Sequence, residues 1–159
     1  MSPNLSICQT VKNHFHILLY LKAPIPGIVI ALVFIRMKKK QVLIVDDDVS
    51  SAETLAEFLT SKQWECVVFS EAKQALNYHG NKPSAVVVDF ELPDMYGTEL
   101  LGELLDRCNG SVGIIVSANP SWEIRQKALE SGASYFFPKP IDLLLLLEKI
   151  NQGSCKIRN

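Results

Sequence analysis

At 159 residues and a formal net charge of −1, the chain is long enough for one well-buried core and short for two. It carries no basic footprint for bare nucleic acid. Its cysteines, Cys8, Cys66, Cys108 and Cys155, are widely separated and form no C-x-x-C pair, so neither a zinc site nor a disulfide framework follows, and reduced thiols in a cytoplasmic protein are the expectation.

Residues 1–36 differ in character from the rest of the chain. The apolar stretch 17–35 is interrupted by Lys22, Pro24, Pro26 and Gly27, and Arg36 and Lys38-Lys39-Lys40 come after it. A membrane segment with its cytoplasmic end after Ile35 suits the basic cluster. Two prolines and a lysine near its middle suit a span of about twenty residues badly. A secretory signal fits worse, because no small-residue cleavage site precedes the basic cluster. The expectation is an extension, disordered or the product of a misassigned start, with Met37 opening a domain that needs no membrane. His14 and His16 have no carboxylate or cysteine companions here and read as incidental.

From Lys40 onward, strand and helix patterns alternate with short connections, the mark of βαβ units and a parallel sheet. Gln41–Val45 reads as a buried strand, and Ser50-x-x-Glu53 as a capping box for a helix with Ala52, Leu55, Ala56 and Leu59 at helical spacing. Trp64–Phe69 is the second strand, and Ser70 is expected to cap a short helix ending at Gly80. Ala85–Val88 is the third strand. A Pro- and Gly-containing loop, Leu92 to Gly97, then leads to a helix with Leu100, Leu101, Leu104 and Leu105 on one face. Val112–Val116 is the fourth strand, Ser121 caps a helix ending near Gly132, and Tyr135–Phe137 is the fifth strand. Asp142 starts the last helix. The folded domain is expected over 40–151, with 152–159 as a short tail.

The polar residues fall on one rim. The first strand ends in Asp46-Asp47-Asp48, the third in Asp89, the fourth in Ser117, and Lys139 follows the fifth between Pro138 and Pro140. Singly, an aspartate after a strand caps a helix, a serine makes a turn, and a lysine is solvated. Together they define a shared site at the C-terminal ends of the strands, where ligands of open α/β sheets bind. Carboxylates packed that closely repel, so they share protons or hold a cation. Hard oxygen ligands suit Mg²⁺, which takes one or two carboxylates together with phosphate oxygens. The pattern points to phosphoryl chemistry.

From about residue 40 to 151 the chain resembles a receiver domain of the two-component response regulators. The likeness is carried by Asp46-Asp47, by Asp89-Phe90-Glu91-Leu92-Pro93-Asp94-Met95-Tyr96-Gly97, by Ser117-Ala118, by Gly132-Ala133 and by Lys139-Pro140. The resemblance implies an α/β, flavodoxin-like, doubly wound fold with five helices. Its five-stranded parallel sheet would run 2-1-3-4-5, the order that the chemotaxis response regulator itself exemplifies.

The same resemblance implies a phosphorelay role, with Asp89 as phosphoacceptor attacking phosphohistidine on a histidine kinase or phosphotransfer protein. Mg²⁺ would be held by Asp47 and Asp89, by Asp46 mainly through water, and by the backbone carbonyl of Glu91. Lys139 and the Ser117 hydroxyl would meet the phosphoryl oxygens. Ser117 and Phe136 would form the switch that repacks the face made by the fourth helix, fifth strand and fifth helix. Phe136 stands where tyrosine is common in that family, so a hydroxyl-mediated switch is absent, and a plain core aromatic is the competing reading. Asp48 matches no required role and reads as surface or cap, while Glu91 and Asn119 line the approach for water.

Leu143 to Leu147 cover all faces of the last helix. Some must meet a partner or the N-terminal segment, or else stand singly exposed. The output is expected to be a protein contact, with an unknown partner or a second copy, rather than an enzymatic turnover. A rival from another class is a Mg²⁺-dependent phosphohydrolase of the haloacid-dehalogenase type, since Asp46-Asp47-Asp48 carries the D-x-D opening of that signature with Asp46 as nucleophile. Against it, the chain shows no cap domain and no acidic pair beyond Lys139, and Asp89 is left without a required role.

Overall fold

A computed structural model describes residues 40–153. The extension 1–36, its apolar stretch 17–35, Cys8, Cys155, His14 and His16 lie outside the described residues, as does most of the tail. The elements run β1 (Gln41–Val45), α1 (Val49–Ser61), β2 (Glu65–Phe69), α2 (Ala72–Leu76), β3 (Ala85–Asp89), α3 (Gly97–Arg107), β4 (Val112–Ser117), α4 (Trp122–Glu130), β5 (Tyr135–Pro138) and α5 (Leu143–Gly153). All strand pairs are parallel and the order is β2-β1-β3-β4-β5. The expected flavodoxin-like architecture is present.

The strands are apolar at successive positions because helices cover both faces. With side chains alternating across the sheet, Val42, Ile44, Ala85, Val87, Ile114 and Val116 pack against Leu55 and Leu59 of α1 and Leu146 and Ile150 of α5. Leu43, Val45, Val86, Val88 and Ile115 face the other way, onto Ala72 and Ala75 of α2, Leu100, Leu101 and Leu104 of α3, and Ala128 of α4. Both faces of the central strands are thus buried between two layers of helices.

Several helix starts differ from the sequence expectation. The capping box expected at Ser50 does not start α1; Asp48 caps it, the role expected of that residue, its carboxylate accepting from the amides of Ser50 and Ser51 and from the Ser51 hydroxyl at 2.7 Å. Those Ser51 bonds hold the Asp48 carboxyl below the usual carboxylate range. Helix α2 is only five residues long and stops at Leu76 rather than Gly80. Its cap position is Glu71, whose side chain makes no capping bond. Ser121 caps α4 as expected, accepting from the Ile124 amide at 3.3 Å. Asp142 opens α5, accepting from the amides of Leu144 and Leu145.

Of the leucine run, Leu146 is fully buried and Leu143 and Leu147 are half-buried, while Leu144 and Leu145 are exposed. Cys66 and Cys108 are free thiols. No helix among the described residues is long and apolar enough to cross a membrane.

Candidate functional site

Because every strand runs the same way, the residues that end them meet on one edge. Strands β1 and β4 flank β3. Val45 pairs with Val88 and Asp89 with Val116, so Asp46 and Ser117 stand on either side of Asp89. Asp46, Asp89 and Ser117 are buried, whereas Asp47 is exposed. One oxygen from each of Asp46, Asp47 and Asp89 lies within 4.8 Å of the other two.

Lys139 reaches this cluster from the β5–α5 connection. Its Nζ lies 2.6 Å from Asp89 Oδ2 and 2.9 Å from Asp46 Oδ2. Its own backbone amide donates to the Ser117 carbonyl at 2.9 Å, and the bond to Pro140 is cis. The Asp48 amide adds a hydrogen bond to Asp46 Oδ1 at 3.0 Å. One ammonium therefore serves two buried carboxylates.

The electrostatics follow from that shortage. Burial, reinforced by the Asp89 charge, raises the Asp46 carboxyl above its ordinary pKa even though Lys139 and the Asp48 amide oppose it. Burial also works against the Lys139 ammonium, but its hydrogen bonds to Asp89 and Asp46 and their charges outweigh this and raise its pKa. Lys139 is thus kept charged, while the ionised form of Asp46 is disfavoured. With all three carboxylates of the cluster ionised, Lys139 leaves two negative charges, which a divalent cation balances. An all-oxygen donor set of this kind fits Mg²⁺, with Asp46, Asp47 and Asp89 the residues placed to hold it.

The remaining expected residues are less directly engaged. The Ser117 hydroxyl is turned onto its own loop, 3.1 Å from both the amide and the carbonyl of Asn119. Phe136 is half-buried on the α4 side of the sheet, and the Arg125 guanidinium lies 5.2 Å over its ring, a contact worth about 0.5–1 kcal/mol at an exposed site. Glu91 and Asn119 are exposed, and Glu91 forms an isolated bridge with Tyr96.

Two residues named in the sequence only as members of the 89–97 motif have further roles in the structure. A Cβ on Gly97 would sit 1.9 Å from the backbone oxygen of Asp89, so only glycine lets α3 start this close to the buried acid. Asp94 accepts from the amides of Ala72 and Lys73 at 3.0 and 2.9 Å and so caps α2 from another loop. Those bonds, the Lys73 amide first, hold its carboxyl below the usual range. The only sequence signal for Asp94 was its place in the motif after Pro93.

Residues 42–151 match the family model of the response regulator receiver domain. The chain belongs to that family, whose members are receivers of two-component systems. It is 32% identical over 112 residues to a cyclic di-GMP phosphodiesterase of Thermotoga maritima, covering 70% of this chain but only 30% of that enzyme. It is 31% identical over 119 residues to a 14.6 kDa protein of the sodA1 3′ region of Leptolyngbya boryana, covering 73% of this chain and 91% of that one. Among solved structures, a CheY-like response regulator receiver domain protein from Methanospirillum hungatei superposes with a TM-score of 0.69 at 31% identity, covering 73% of this chain and 94% of that chain.

Proposed function

We propose that this chain is a phosphoacceptor switch, with residues 40–151 as the unit that takes the phosphoryl group and Asp89 as its nucleophile. The observation that carries the reading is Lys139 Nζ held 2.6 Å from Asp89 Oδ2 beside two further carboxylates. A carboxylate oxygen of Asp89 attacks the phosphorus of a phosphohistidine on a histidine kinase or phosphotransfer protein. The P–N bond breaks, the P–O bond of an aspartyl phosphate forms, and the leaving imidazole takes up a proton. Asp47 and Asp89, Asp46 through water and the Glu91 carbonyl would hold Mg²⁺, which supplies neutralising charge to the phosphoryl oxygens.

Lys139 needs little movement to pass from a carboxylate oxygen of Asp89 to an oxygen of the phosphoryl group. The Ser117 hydroxyl exchanges its bonds to Asn119 for one to the phosphate. The space it leaves lets Phe136 turn inward, away from Arg125, and repack the face of α4, β5 and α5. Trp122 (72%) and Leu129 on α4 and Leu144 (70%) on α5 are exposed, aromatic and aliphatic anchors suited to a protein partner or a second copy. The chemistry is acceptance and later loss of one phosphate in the cytoplasm, with no separate substrate turned over.

Incubation with a small acyl phosphate and Mg²⁺ tests the reading. One phosphoryl group should add per chain, Asp89→Asn should abolish it, and Asp46→Asn should retain some of it. Full labelling of Asp89→Asn with none in Asp46→Asn would instead establish the haloacid-dehalogenase chemistry.

A further inference from the structure

The β3–α3 loop has an attachment that the phosphoacceptor chemistry does not use. Its base is closed by the Gly97 amide donating to the Phe90 carbonyl at 2.8 Å and by the bridge between Glu91 and Tyr96. At its tip, Leu92 and Met95 rest on the apolar layer that includes α2 and α3. Apolar contact permits sliding, whereas hydrogen bonds to two successive amides set a position. Asp94 accepts those bonds, one carboxylate oxygen from the Ala72 amide and the other from the Lys73 amide, across 22 and 21 residues of chain.

Helix α2 makes a firm anchor for its size. Five residues are too few to hold a helix by propensity, and its own cap residue Glu71 contributes no side-chain bond. Neighbours brace it instead. Ala72 and Ala75 are fully buried, the Arg107 guanidinium of α3 donates to the Leu76 carbonyl at 2.7 Å, and Asp94 satisfies the first amides.

We propose that Asp94 is a positioning residue for the metal site: by tying the tip of loop 90–97 to α2, it sets where the Glu91 backbone carbonyl stands relative to Asp89 and Asp47. The proposal rests on the receiver reading for the place of the metal, and it joins the acid cluster to α2 through one carboxylate.

Calorimetric titration of the full chain with Mg²⁺ tests this. Asp94→Ala should weaken Mg²⁺ binding about tenfold, the lower end for residues that orient a ligand from outside the coordination sphere. Asp94→Asn keeps one acceptor oxygen and should fall between that variant and the wild type. Arg107→Ala loosens α2 from its other end and should leave Mg²⁺ affinity unchanged. In parallel, amide exchange at Ala72, Lys73 and Gly97 should quicken in Asp94→Ala. Unchanged affinity in Asp94→Ala, or an equal loss in Arg107→Ala, overturns the proposal and leaves Asp94 a plain helix cap. A wild-type chain that binds no Mg²⁺ overturns the receiver reading first, and this proposal with it.

Discussion

At the N-terminal edge of the sheet, Tyr78 Oη donates to Gln41 Oε1 at 3.1 Å, Ser111 Oγ to the Pro83 carbonyl at 2.6 Å, and Lys82 Nζ to the Asn109 carbonyl. At the C-terminal edge, Lys139 is the one cation among the described residues that pairs with the buried carboxylates of Asp46 and Asp89, with Asp47 beside them. Among the described residues no buried side-chain polar atom lacks a partner, so both edges are satisfied as hydrogen bonds. They differ in charge. Partners at the first edge are neutral or meet a single cation at the surface, whereas those at the second carry like charges that one ammonium cannot balance. The same strands thus end in a hydrogen-bonded seam on one side and in an acid cluster short of positive charge on the other.

Breaking the C-terminal edge should have the largest effect. Lys139→Met strips the compensating charge from two buried carboxylates, a loss of about 3–5 kcal/mol in a fully buried pair. Since a fifth of the Lys139 side chain is exposed (20%), solvent reduces this to about 2–3 kcal/mol of stability at neutral pH. Urea unfolding should show that loss without metal, and millimolar Mg²⁺ should recover most of it. Equal midpoints for the variant and the wild type without metal would mean that this edge is not short of positive charge.

The N-terminal edge supplies the contrast. Tyr78→Phe leaves Gln41, only 3% exposed, without its hydroxyl partner, and should cost about 1–2 kcal/mol. Neither Mg²⁺ binding nor phosphate acceptance should change. A change in either would show that the two edges are coupled through the strands.

Asp46→Asn should act in the opposite direction and by less. The folded state raises the Asp46 carboxyl pKa, chiefly through burial and then through Asp89. Its stabilising contribution is therefore full below the ordinary carboxylate value and is lost as pH rises through the folded pKa. Asparagine does not ionise, so the metal-free variant should be more stable than the wild type at neutral pH by about 1 kcal/mol, the usual gain on relieving a functional site. The two stability curves should converge in acid. A variant less stable than the wild type across that whole range would mean that the Lys139 pair outweighs the repulsion.

The apolar runs 41–45, 85–88 and 112–116 marked buried strands because period and length are local properties, and parallel strands must bring Asp46, Asp89 and Ser117 to one edge. Caps made within three residues, such as Ser121 on α4 and Asp142 on α5, were legible for the same reason. Choosing between Asp48 and Ser50 at α1 was not, since both lie at capping distance and only the backbone turn after Asp46 decides which carboxylate or hydroxyl faces the free amides.

Sequence alone determined the class of fold and the edge where the acid cluster gathers, because alternation, apolar runs and short connections are written along the chain. Only the tertiary structure decided that Lys139 bridges Asp46 and Asp89 across 93 and 50 residues. It also decided that Ser117 turns onto Asn119, that Gly97 must be bare beside the Asp89 carbonyl, and that Asp94 begins a helix to which it does not belong. Those contacts join segments distant in sequence, and their geometry exists only once two layers of helices have set the strands at fixed spacing.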